Sequence, residues 1–242
     1  MTRAALVVIV ALVFAPATSG GLGRLAGATI AIDPGHNGGN AANAARISRQ
    51  VNAGTLRKAC DTVGAATAGG YTEAAHNLDV ALRLERILRE AGGRVVLTRR
   101  TNRGWGPCIT SRAAIGNRAH ADAAVSIHAD GGPPRGRGFH VIYPPAIRGL
   151  TDDIAAESQR LALAVRAAYI RTTRMPYSNY TGRDGLARRR DLGGLNLSDV
   201  PKVFLEAGNM RNATDARLLS RARFRQLEAR ALADALAIFL AR

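Results

Sequence analysis

Lysine is nearly missing from this chain, and aromatic residues, cysteine and long apolar runs are scarce. Lys58 and Lys202 are the only lysines among 34 basic residues, so the formal charge of +16 rests on arginine. Aromatics make up 5%, too few for a surface that stacks single-stranded bases. No basic helix and no interleaving of aromatic with basic residues is visible either, which argues against a nucleic-acid partner. A cationic chain of this kind is drawn instead to polyanions such as wall polymers, acidic peptides or anionic lipid surfaces. Cys60 and Cys108 stand alone, without a CxxC pair, which argues against thiol redox catalysis and against a thiolate zinc site. No repeat, linker or low-complexity tract interrupts the 242 residues, a length that suits one α/β domain with a sizeable core.

Only the N-terminus carries a continuous apolar stretch. Arg3 precedes the run from Ala4 to Ala15, and Ala15-Pro16-Ala17 offers an A-x-A-like cleavage site, with Ser19 or Gly20 as later options. The run is about a dozen residues, short of the roughly 20 that a spanning helix requires. Residues 1–20 are therefore expected to be a cleaved secretory signal, with an N-terminal anchor or a first core helix as the alternatives. On the first reading the protein is secreted to the periplasm or cell wall and makes no stable membrane insertion. Loss of Arg3 leaves 16 − 1 = +15 on the mature chain. In an oxidising compartment Cys60 and Cys108 are expected to form a disulfide, two free thiols being the alternative. That bridge closes a loop of about 49 residues, worth on the order of 4 kcal/mol in the chain-entropy account.

Along the chain, the β-branched run Ala28 to Ile32 ends at Asp33-Pro34-Gly35-His36 and reads as a buried strand entering a tight turn. Residues 37–72 show no periodicity, and so long a patternless stretch points to a functional insertion that partly covers a cleft. Thr72 reads as an N-cap for a helix over 73–91, with Val80, Leu84, Ile87 and Leu88 on one stripe and Gly92-Gly93 ending it. Strands are expected at 94–98, 123–127, 139–143 and 203–205, and helices at 110–120, 152–171 and from about Asp215 to the end. Residues 172–195 read as irregular. Strands alternating with helices of this length imply an α/β fold, a mostly parallel sheet with helices on both faces.

His36, His128 and Glu206 each follow a β-rich run, so an open α/β sheet would gather them at the carboxyl ends of its strands. Glu73, in the first turn of its helix, can face the same edge. Two imidazoles and one carboxylate with an open fourth position make a catalytic zinc site, and a second carboxylate beside it can serve as general base. His76 lies one helical turn beyond Glu73 and is a rival third ligand. His120 and His140 read as structural or solvent-facing. Asp33 either orients His36 or caps the Pro34-Gly35 turn.

These segments resemble, in order, the motifs of the type 3 family of N-acetylmuramoyl-L-alanine amidases. IAIDPGH resembles the first histidine motif and TEAAHNL the motif with a glutamate at a helix start; VVLTR follows as the next strand does in that family. SRAAIGNRAHADAAVSIHAD resembles the segment ending in the second histidine, and VPKVFLEAGNMRN the closing strand with its glutamate. The resemblance runs from about residue 28 to the C-terminus and implies a catalytic domain over 28–242, with a sheet of about six strands. It implies one zinc ion held by His36, Glu73 and His128, Glu206 as the catalytic glutamate, and peptidoglycan or its muropeptide fragments as substrate. Asp130 departs from the family, which usually has Asn there, and Asn209 and Met210 replace an expected aromatic. A monomer is expected, and arginines of 183–190 are expected to meet stem-peptide carboxylates. A zinc peptidase acting within the stem peptide and a non-catalytic wall-binding protein remain open as alternatives.

Overall fold

Strands that are apolar at every position need cover on both faces, and the chain supplies it from helices placed between them. The computed structural model describes residues 22–241; the segment 1–20, expected to be a signal, lies outside them. In chain order, β1 (Thr29–Pro34) leads through a one-turn helix α1 (Ala44–Ile47) to a hairpin of β2 (Gln50–Asn52) and β3 (Arg57–Ala59). Then come α2 (Glu73–Glu90), β4 (Arg94–Leu97), α3 (Ile109–Arg118), β5 (Ala123–Asp130), β6 (His140–Tyr143) and α4 (Ala155–Thr173). The chain closes with β7 (Leu186–Arg188), a one-turn α5 (Gly193–Asn196), β8 (Lys202–Asn209), α6 (Ala213–Leu219) and α7 (Ala222–Leu240).

Six of these strands form one sheet in the order β4-β1-β5-β8-β6-β7. The pairs β1–β4, β1–β5, β5–β8 and β6–β7 are parallel, while β6 runs antiparallel to β8. This is the expected mixed, mostly parallel sheet. In-register neighbours point to the same face. One face carries Ile30, Ile32, Val125, Ile127, Val203 and Leu205, which join the stripes of α2, α4 and α7 in the main core. The other face carries Asp33, Ser126, His128, Lys202, Phe204 and Glu206, and lies under α3 and α5, where the apolar clusters are small.

Helix α2 starts where the sequence says it should. Thr72 has an extended backbone, and its hydroxyl accepts a hydrogen bond from Ala75 N at 3.3 Å. Gly92, with φ of +82°, ends it. The C-terminal helix differs from expectation, because it is two helices. Asn212 caps α6 by accepting from Thr214 N and Asp215 N, so Asp215 sits inside the first turn rather than before it. Arg221 is extended (φ −89°, ψ 126°) and restarts the chain as α7. The region 172–195, expected to be irregular, contains edge strand β7 and α5. Within 37–72 lie α1 and the β2–β3 hairpin. Cys60 and Cys108 are joined in a disulfide. No helix among the described residues is long and apolar enough to cross a membrane.

Candidate metal centre

The carboxyl ends of β1, β5 and β8 meet at one edge of the sheet, and three donor side chains converge there. His36 follows β1 in a left-handed conformation (φ 56°). The chain passes so near β5 at this point that a Cβ on Gly35 would collide with the His128 ring, which makes glycine necessary. His128 stacks on Phe204 of β8, with ring centroids 5.0 Å apart and planes 9° from parallel. Glu73 is the first residue of α2, where the helix dipole favours a carboxylate.

Glu73 Oε1 lies 3.2 Å from His36 Nε2 and 2.9 Å from His128 Nδ1. The three donor atoms all fall within 4.8 Å of one another. Ligands placed tetrahedrally about zinc at ~2.0–2.1 Å are themselves about 3.4 Å apart, so this donor set fits such an ion with little adjustment. The carboxylate is fixed from behind: Oε2 accepts from Ala65 N at 2.7 Å, and Oε1 accepts from Ala129 N at 3.2 Å. Burial alone would raise the Glu73 pKa, but His36 and the hydrogen bonds to both imidazoles outweigh it and hold the carboxyl well below its usual range. Burial likewise disfavours a charged His36, yet Glu73 and Asp61 together push its pKa up to about 10. A cation bound there would take the place of that proton, because a ligating imidazole is neutral.

Glu206 is the registered neighbour of His128 on the adjacent strand, so both side chains leave the same face of the sheet. Its Oε2 is buried with no hydrogen-bond partner among the described residues. Burial, then the charges of Glu73 and Asp130, push its carboxyl well above the ordinary range, with His36 and Arg189 opposing. The fourth expected residue is thus alongside the other three.

Other expectations need correction. His76 is not a rival ligand: although one helical turn past Glu73, it faces α7 and is fully buried, with Nε2 3.5 Å from Glu228 Oε2. Asp33 neither orients His36 nor caps a turn. It is buried and accepts from Arg112 Nη1 at 2.8 Å, Thr98 Oγ1 at 2.7 Å and Ser126 Oγ at 2.8 Å, with Lys202 Nζ at 3.3 Å. The carboxylate that meets His36 on the ring nitrogen away from Glu73 is Asp61, whose Oδ1 lies 3.1 Å from Nδ1; Thr62 O lies 3.0 Å from the same nitrogen. The sequence signal for Asp61 was its place directly after Cys60, inside a stretch without periodicity. His120 is exposed, as expected. His140 is buried and registers with Glu206 from β6, nearer the site than expected; burial lowers its pKa to about 4.

The loop after the disulfide walls the centre. A Cβ at Gly64 would come within 2.8 Å of His36 and 2.9 Å of Glu73. The β2–β3 hairpin is tied across to the 189–196 segment, through Thr55 Oγ1 donating to Arg190 O at 2.6 Å and Lys58 pairing with Asp191 at 3.6 Å. Between them lies a cavity of about 150 Å³ that reaches His36 and His128 and is lined otherwise by groups such as Ile109, Leu192 and Phe204. The arginines of 183–190 do not act as one set. Arg189 pairs with Asp191, Arg183 lies beside Asp184 in solvent, and Arg188 and Arg190 line a separate cleft of about 530 Å³ with Arg148.

Fold and site together define a layered α/β protein with two imidazoles and one carboxylate, a candidate cation centre, converging at the carboxyl edge of its sheet. The family model for N-acetylmuramoyl-L-alanine amidase matches residues 30–237, and the chain belongs to that family. It is 41% identical over 220 residues to an N-acetylmuramoyl-L-alanine amidase of Mycobacterium tuberculosis, an alignment covering 90% of this chain and 88% of the relative. Among solved structures, it is similar to the N-acetylmuramyl-L-alanine amidase Ami1 of Mycobacterium smegmatis, with 40% identity and a TM-score of 0.83 over 89% of this chain and 98% of that one. Ami1 of Mycobacterium abscessus, in its apo form, matches with 38% identity and a TM-score of 0.83 over 89% of this chain and 100% of that one.

Proposed function

We propose that this protein is a secreted, zinc-dependent hydrolase that cleaves the amide bond between N-acetylmuramic acid and L-alanine in peptidoglycan. The observation that carries the reading is the convergence of His36, Glu73 and His128 on one point with Glu206 alongside, in a chain of the amidase family. His36 through Nε2, His128 through Nδ1 and Glu73 through its carboxylate would hold the ion. A zinc ion held there supplies Lewis acidity to a carbonyl oxygen and makes a water more acidic. Glu206 accepts the proton of the attacking water and returns it to the leaving alanine amine, so one carboxyl serves both halves of the reaction. His36 needs no proton role, since its Nε2 would be committed to the ion and its Nδ1 to Asp61.

The catalytic domain on this reading spans 28–242, preceded by a signal over 1–20, and acts as a monomer in the periplasm or wall. The cationic surface brings it to anionic wall material, and from their separate cleft Arg188 and Arg190 would hold stem-peptide carboxylates. Charge reversal at Arg188 should raise KM with kcat little changed, and an unchanged KM dismisses that contact. The decisive experiment pairs metal analysis of the purified protein with mass spectrometry of digested muropeptides. Free lactyl-terminated muramic acid plus a stem peptide starting at intact L-alanine supports the amidase; shortened stems still attached to the sugar point to a peptidase instead.

A further inference from the structure

The mechanism leaves one group of buried charges unused. Arg112, in α3, is buried and spends all its nitrogens inward. Nη1 donates to Asp33 Oδ1 at 2.8 Å and Pro34 O at 2.7 Å; Nε donates to Pro107 O at 2.8 Å. Nη2 donates to His36 O at 2.9 Å, to Asp61 Oδ2 at 3.2 Å and to Gly106 O at 3.2 Å. One guanidinium therefore grips both the backbone that carries His36 and the carboxylate that touches its ring. Asp61 completes the link: Oδ2 takes Arg112, while Oδ1 takes His36 Nδ1 and the Thr62 amide at 2.8 Å. The disulfide frames the same unit. Cys60 immediately precedes Asp61, Cys108 is the N-cap residue of the helix bearing Arg112, and Ile109 N donates to Cys60 O at 2.8 Å.

We propose that Asp61 is the positioning residue that orients His36 toward the metal, held in place by Arg112 and by the Cys60–Cys108 bridge. This rests on the zinc reading above and adds to it a relay from α3 to the first ligand. A carboxylate on the far nitrogen of a ligating imidazole fixes its tautomer and orientation and raises its basicity, and loss of such a partner typically costs 10–100-fold in metal affinity. Because both neighbours of the relay are stapled by one disulfide, opening that bridge frees Asp61 and Arg112 to drift relative to each other. Zinc affinity, and not only fold stability, then depends on the bridge.

The test is zinc affinity by chelator competition, measured on the full chain together with thermal unfolding and with the imidazole N–H signals of the zinc-loaded protein. Wild type should bind one zinc. Asp61→Asn keeps size and polarity and should fold; it should bind zinc about 10-fold more weakly, and Asp61→Ala up to about 100-fold more weakly. Both should shift or lose the His36 Nδ1–H signal, which a purely structural role would leave in place. The Cys60→Ser/Cys108→Ser double variant should fall between wild type and Asp61→Ala. Zinc affinity within about twofold of wild type in Asp61→Asn, with the Nδ1–H signal retained, overturns the relay even if Asp61→Ala fails to fold. Wild-type affinity in the double-serine variant removes the bridge from it. A wild-type protein that takes up no zinc overturns the metal reading itself, and the relay with it.

Discussion

The two faces of the central sheet are built by opposite rules. On the face under α2, α4 and α7, side chains are aliphatic and fill one continuous core. On the face under α3 and α5, the same strands contribute Asp33, Ser126, Lys202, His128 and Glu206, and apolar packing breaks into small clusters. A buried ion-pair network often stabilises no more than well-packed hydrophobes would, so the polar face is poorly explained by stability. Its charges hold geometry instead: Arg112 alone fixes four backbone carbonyls around the exit of β1 and the loop before α3. One face makes the fold and the other aims the side chains at its edge.

If that division is right, changes on the polar edge should alter chemistry without unfolding the protein. Glu206→Gln should lower kcat by roughly 10²–10⁴-fold, the usual weight of a general acid–base group, while zinc content stays at wild-type level. Near-full turnover in the zinc-loaded variant would remove Glu206 from its role. The reverse experiment is on the apolar face. Leu84 is fully buried in α2, and Leu84→Ala should cost about 2–5 kcal/mol of stability in denaturant unfolding, with zinc affinity within about twofold of wild type. A large loss of zinc affinity there would show that the faces are not separable.

Acid should reach the polar face before the apolar one. Lys202 and Arg112 overcome the burial of Asp33 and hold its carboxyl far below the ordinary aspartate range. A folded-state pKa depressed in this way contributes stability that is complete above the unfolded value and lost as the pH falls below it. The unfolding free energy should therefore drop below about pH 4, and Asp33→Asn should flatten that limb while lowering stability at neutral pH. An acid limb of unchanged slope in Asp33→Asn would mean that other carboxylates control it.

Much of the candidate site is legible in the sequence because each proposed ligand sits at or close to the end of an element with a local signature. Short β-branched runs end just before His36 and at His128, and Thr72 marks the helix start that carries Glu73. What was not legible depends on contacts across long stretches of chain. Asp61 and Arg112 are 51 residues apart and Arg112 and Asp33 are 79 apart, and no local pattern pairs them; the sequence offers Asp33 only its near neighbours, His36 or the Pro34-Gly35 turn. Edge strand β7 leaves no sequence signal because Leu186–Arg188 is three residues with no periodicity. The α6–α7 break is equally silent, because neither glycine nor proline stands at Ser220-Arg221 to announce it.

The smallest expected effect tests the point where the two faces meet. Helix α2 belongs to both, since its stripe from Val80 to Leu88 lies in the apolar core while its first residue, Glu73, is a donor at the centre. Thr72 caps this helix from an exposed position, and Thr72→Ala should cost about 1 kcal/mol of stability. Glu73 itself is gripped by Ala65 N and Ala129 N, neither of which belongs to the cap. Zinc affinity in Thr72→Ala should therefore stay within about twofold of wild type although the helix end frays more readily. If affinity instead falls in step with stability, the carboxylate takes its position from the helix rather than from the loop and strand around it. The wall formed by residues 60–66 would then be a consequence of the centre and not its support.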